Sequence, residues 1–74
     1  MATTESHGYA VELLSTNFSV MNTIRTETES SALWQAEKLG YLLGRQNKWG
    51  HTVAVIVTKK WNGENWEIIT ETEW

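Results

Sequence analysis

The chain contains no cysteine, which excludes a disulfide framework and a Cys-based zinc site as staples for a small fold. The same absence fits a reducing compartment. Apolar runs are short. None approaches the ~20 residues of a membrane span, and the opening Met1-Ala-Thr-Thr-Glu-Ser6 lacks the charged and apolar regions of a secretory leader. A cytosolic location without a membrane partner is the expectation. Basic residues are few as well: six Lys and Arg stand against nine acids, all of them Glu, for a net charge of −3. A general binder of phosphate backbones would be basic instead. Histidine is limited to His7 and His51; with no Asp nearby they make a poor metal set, and they complete no Ser-His-acid or Cys-His arrangement. The glycines are scattered and form neither a phosphate loop nor a dinucleotide fingerprint. No enzyme, no metal and no cofactor is the reading.

Tryptophan, by contrast, is abundant, with five among 74 residues. A chain of this length has a core that only just suffices, so aromatic burial is the plausible source of its stability. One domain is expected over residues 9–74, after a frayed N-terminal tail over 1–8.

The organising stretch is Gly50–Trp74, in which Asn62-Gly63 stands between two β-rich runs, a strong hairpin signal because both residues tolerate positive φ. Val53, Val55 and Val57 share one face of the first run, and Trp66 and Ile68 share one face of the second. A two-residue or a four-residue loop brings these sets together, whereas a three-residue loop would set Val55 and Val57 beside Glu71 and Ile69. Upstream, Tyr9–Ser15 and Phe18–Thr26 alternate as half-buried strands. A turn at Thr16-Asn17 would pair Leu13 with Val20 and Tyr9 with Ile24. Thr28-Glu-Ser-Ser31 is a helix start, with hydroxyl caps and glutamates near the positive end of the macrodipole. The helix is expected over Glu29–Leu43, ending at Gly44, with Ala32, Leu33, Ala36, Leu39, Gly40, Leu42 and Leu43 on its apolar arc. Gly40 inside it suggests close packing on the sheet.

The elements read ββαββ, an α+β fold with a four-stranded antiparallel sheet and one helix packed on one face. Sheet order 2-1-3-4 fits best; 2-1-4-3, with the first and last strands parallel, is the alternative. The expected core is Val11, Leu13, Val20, Ile24, Ala36, Leu39, Leu43, Val53, Val55, Val57, Trp66 and Ile68.

Two surfaces are candidates for binding. By parity the uncovered sheet face carries Leu14, Met21, Ala54, Ile56 and Ile69, framed by Glu12, Glu67, Glu71 and Glu73, with Arg25 and Lys60 nearby. An apolar patch in an acidic frame suits a basic protein partner or a second copy; the bland alternative is an ordinary open face with stray apolar residues. The other surface is the outer helix stripe Trp34, Lys38, Tyr41 and Arg45. Exposed large aromatics often mark contacts, although Trp34 folded back over the sheet edge would explain it equally.

Two short strands, then Thr26-Glu-Thr-Glu-Ser-Ser-Ala-Leu-Trp-Gln-Ala-Glu37, a Thr-Val-x-x-Ile strand and a Trp-bearing final hairpin resemble, in layout, small phage-encoded inhibitors. The resemblance covers roughly Tyr9–Ile69 and is nearest to type I anti-CRISPR proteins. The strand-then-helix middle is similar to the bacteriophage inhibitor of host RNA polymerase. The likeness is one of layout and spacing and transfers no site residue. It implies a cofactor-free protein that binds a host protein or ribonucleoprotein complex stoichiometrically in the host cytosol. The partner-binding residues expected on the sheet face are Glu12, Ile56, Glu67, Ile69, Glu71 and Glu73, with Trp34, Lys38, Tyr41 and Arg45 as the second surface. The rival readings are a nucleic-acid-binding module, stacking bases on Trp34, Tyr41 and Trp49 beside Lys38, Arg45 and Lys48, and a structural homo-oligomer.

Overall fold

The computed structural model describes residues 8–74. The expected tail lies outside them except for Gly8, whose carbonyl accepts the Trp61 N–H at 2.6 Å. Strands β1 (Tyr9–Ser15) and β2 (Val20–Thr26) precede helix α1 (Glu29–Lys38); a 3-10 turn (Leu39–Leu42) leads on to strands β3 (Val53–Trp61) and β4 (Trp66–Glu73). The four strands form one fully antiparallel sheet in the order β2-β1-β3-β4.

The Asn62-Gly63 signal closes a four-residue loop, with Trp61 opposite Trp66. Gly63 takes φ +105°, and Asn62 Oδ1 accepts the N–H groups of Glu64 and Asn65, each at 2.8 Å. The first hairpin turns differently from expectation. Ser15 O accepts from Phe18 N at 2.8 Å and Ser15 N donates to Ser19 O at 2.9 Å, while Phe18 lies in the left-handed region at φ +66°. A three-residue loop of this kind adds one residue to the expected turn. Together with a further extra residue at Met21, this sets Val11 opposite Ile24 and Leu13 opposite Asn22. Val20 and Phe18 are exposed, so Val20 leaves the expected core.

Helix α1 starts as its residues dictate: Thr28 Oγ1 accepts from Ser31 N at 3.2 Å, and Glu29 sits in the first turn. It is shorter than expected, because the chain tightens into the 3-10 turn from Leu39. Gly44 then takes φ +84°. Gly40 is not a close-packing site, since a Cβ there would meet nothing within 4 Å. The close contact falls on Gly44, where a Cβ would stand 2.6 Å from Trp74 Nε1.

The helix packs on the face bearing Val11, Leu13 and Ile56, with Ala32 at the centre and Ile24, Ala36, Leu39, Leu42 and Leu43 around them. The face assignment on β3 thus reverses the parity reading. Ile56 and Thr58 look toward the helix side, and Val55 and Val57 look the other way, beside Leu14 and Glu12 of β1. The β1–β3 register sets this over an unbroken stretch, with Val11 opposite Thr58 and Leu13 opposite Ile56, and three irregularities re-phase the residues beyond it. Between Leu13 and Leu14 the partner on β2 jumps past Met21; between Leu14 and Ser15 the partner on β3 jumps past Ala54; between Thr58 and Lys59 the partner on β4 jumps past Ile69. Each extra residue re-phases the alternation on its strand. Ala54 returns Val53 to the helix face, where it joins the core. Ile69 brings Glu71 opposite Val57 and Glu73 opposite Val55, while Ile68 and Trp66 keep to that same face opposite Lys59 and Trp61.

Candidate functional site

The sheet face away from the helix is the first candidate, and its membership differs from the expected one. Ile56 is a correction: at 2% exposure it lies under the helix and offers nothing to a partner. Glu67 opposes Lys60 on the helix side of the sheet, where its Oε2 accepts from Asn62 Nδ2 at 2.8 Å and so braces the loop. Ile69 is half-buried at the bulge. Glu12, Glu71 and Glu73 do share the face away from the helix, beside Val57 and Val55. Glu12 is held by Lys59 at 2.9 Å, whereas Glu71 and Glu73 are exposed on the edge strand.

The apolar part of this face comes from Trp61 together with Ile68 and Trp66, two residues of the expected core. Ile68 is 59% exposed. Trp61 and Trp66 meet edge-to-face, with ring centroids 5.4 Å apart and planes at 61°. The Arg25 guanidinium lies 5.2 Å from the Trp66 ring centre, reaching across Ala10, the small residue between Arg25 and Lys59 in the sheet. The face therefore has a Trp–Trp–Arg cluster at the hairpin end and a Glu12-Glu71-Glu73 region toward its middle. The bulge at Ile69 and the β1–β3 register together assemble it.

The second candidate surface holds as exposed. Trp34, Lys38, Tyr41 and Arg45 all face solvent. They form two separate cation–aromatic pairs rather than one continuous stripe: Lys38 Nζ lies 4.7 Å from the Trp34 ring centre and the Arg45 guanidinium 5.8 Å from that of Tyr41. Arg45 Nε also donates to Tyr41 O at 3.0 Å. A third pair of the same kind follows in the Arg45–His51 loop, with Lys48 Nζ 4.7 Å from the Trp49 ring centre. Such pairs are attractive through the ring quadrupole, and each leaves the other ring face open.

Among the described residues no group of three His, Cys, Asp or Glu side chains is placed to hold a metal ion. His51 is exposed in the loop before β3, and His7 lies outside the described residues. Among the described residues no helix is long and apolar enough to cross a membrane. Comparison of the chain with protein-family models, with curated proteins and with solved structures yields no significant match, so the functional reading rests on these surfaces alone.

Proposed function

We propose that this chain is a non-enzymatic binding protein that blocks a host nucleic-acid-handling complex stoichiometrically in the host cytosol, in the manner of phage-encoded inhibitors such as the type I anti-CRISPR proteins. One observation carries the reading: the sheet face away from the helix combines exposed Ile68 and the Trp61–Trp66 pair with Glu12, Glu71 and Glu73. Apolar area beside an acidic region complements a basic protein surface, with the charges steering encounter and the apolar groups supplying buried area. A protein channel that handles nucleic acid offers such a surface.

The test is inhibition in vitro of purified type I CRISPR effector complexes and of bacterial RNA polymerase. The wild-type chain is expected to form a stable complex with one of them and to abolish its DNA binding or transcription. Ile68→Lys combined with Glu71→Lys should weaken that inhibition at least tenfold with the melting midpoint nearly unchanged, because both side chains are exposed. Trp34→Ala with Tyr41→Ala should leave inhibition intact. Lack of complex formation across the panel overturns the proposal, and the opposite mutant pattern moves the site to the helix.

A further inference from the structure

The net charge hides a segregation. All six Lys and Arg lie in two stretches, Leu13–Thr26 and Lys38–Gly63, that contain no acid at all; every Glu lies outside them. The fold brings parts of these stretches together at one end of the sheet, where the Arg45–His51 loop stands against the β1–β2 hairpin. Two adjoining hollows open there, of about 240 Å³ and about 280 Å³, and both are lined by Met21, Asn47 and Trp49. No acidic side chain lines either hollow. The first has an apolar floor of Leu13, Leu42 and Val53, with Asn22, Gln46 and Arg45 at its polar wall.

The loop is organised by its own chain. Asn47 Oδ1 accepts the N–H groups of Trp49 and His51, each at 2.9 Å, and Asn47 N donates to His51 O at 2.8 Å. These bonds hold Trp49 at the mouth of the hollows, 72% exposed, with Lys48 over its ring. An exposed indole anchored in this way carries an apolar cost that packing within the chain does not explain. It is a flat platform beside a cation, bordered by side-chain amides able to read hydrogen-bonding edges.

We propose that this rim binds single-stranded nucleic acid, with one unpaired base stacked on Trp49 over the hollow and the flanking phosphates held by Lys48 and Arg45. A single strand fits better than a duplex, because the ring needs an unstacked base and because two local cations on an acidic protein are too few for a double helix. An acidic peptide would use the cations but would have no need of the ring or the amides. Lys38 with Trp34 and Arg45 with Tyr41 repeat the cation-and-ring arrangement as separate pairs. This proposal does not rest on the inhibitor reading, which uses the opposite sheet face.

The test is fluorescence anisotropy of the full chain with labelled unstructured oligonucleotides of about 12 nucleotides, within the usual range of single-strand sites, at low and rising salt. Micromolar binding is expected. Its logarithmic salt slope should be about −1.4, from two phosphates at about −0.7 each. Trp49→Ala should weaken it about tenfold, Trp49→Tyr should restore most of it, and Lys48→Gln should reduce the salt slope by about 0.7. Poly-glutamate at matched charge is the second probe and should bind far more weakly. No oligonucleotide binding at low salt overturns the proposal. Equal binding of poly-glutamate, unaffected by Trp49→Ala, overturns it too and marks the rim as a docking surface for acidic protein.

Discussion

Thr58 offers the sharpest test of the packing. It sits in the middle of β3, opposite Val11 on one side and Thr70 on the other, and is fully buried at 0% exposure. Its Oγ1 has no hydrogen-bond partner among the described residues. A buried hydroxyl without a partner forfeits its bonds to water, a loss of about 1–3 kcal/mol. Valine has nearly the same shape, the same β-branching and the same preference for strands, but no hydroxyl to desolvate. Thr58→Val should therefore stabilise the protein by about 1 kcal/mol, toward the lower end because the hydroxyl is partly shielded in the unfolded chain too. In so small a domain that raises the melting midpoint by about 4–8 °C. Thr58→Ser is the matched control: it keeps the hydroxyl, loses the methyl group, and should cost about 1 kcal/mol. Thermal melts and urea titrations of the three proteins read this directly, with unchanged urea slopes showing that the unfolded state is not the cause. A Thr58→Val protein that melts at or below the wild-type temperature refutes the argument. The hydroxyl would then have a partner in solution, and Thr70 across the β3–β4 ladder is the neighbour to examine.

The face assignment has its own pair of substitutions: Ile56→Ala should cost about 2–4 kcal/mol by emptying the core under the helix, and Ile68→Ala less than about 0.5 kcal/mol, as measured by equilibrium denaturation; the reverse ranking would restore the parity reading. Gly44→Ala should cost about 1–2 kcal/mol, part from the positive φ and part from the clash with Trp74. Adding Trp74→Ala should recover the steric part alone, so a double-mutant cycle with no coupling between the two sites would contradict the contact.

The parts of the fold legible in the sequence are those set by local chemistry. Asn62-Gly63 names its hairpin because few residue pairs accept that turn, and Thr28 with Ser31 names the helix start because the hydroxyl has one geometric use there. Antiparallel order follows from short connections and from the doubly apolar β3. The faces of β3 were not legible for the same reason that placed it centrally: with Val53 through Val57 apolar throughout, period two has no polar residue to count from. The extra residues at Met21, Ala54 and Ile69 leave no mark in composition, yet each shifts everything beyond it on its strand. The candidate site inherited that error. Glu12, Glu71 and Glu73 remained together, Ile56 went under the helix while Val55 and Val57 stayed buried on the other face, and Ile68 came out of the expected core to the surface with Trp66 half-buried beside it. The helix-side aromatics, whose exposure depends only on helical spacing and loop position, were readable without the sheet.

The edge-to-face contact of Trp61 and Trp66 has an optical consequence. Two indoles held 5.4 Å apart at 61° couple their electronic transitions, and such coupling produces a pair of far-ultraviolet dichroism bands of opposite sign. The signal exists only while β3 and β4 are paired at their loop end, because it vanishes once the rings rotate independently. Trp34, Trp49 and Trp74 are solvent-facing and have no aromatic partner of this kind among the described residues. Their emission instead follows local water and whatever lies on the ring. The chain thus carries two intrinsic chromophore sets, a coupled pair that reports hairpin integrity and single rings that report occupancy of the surface, so unfolding and binding are separable in one unlabelled sample.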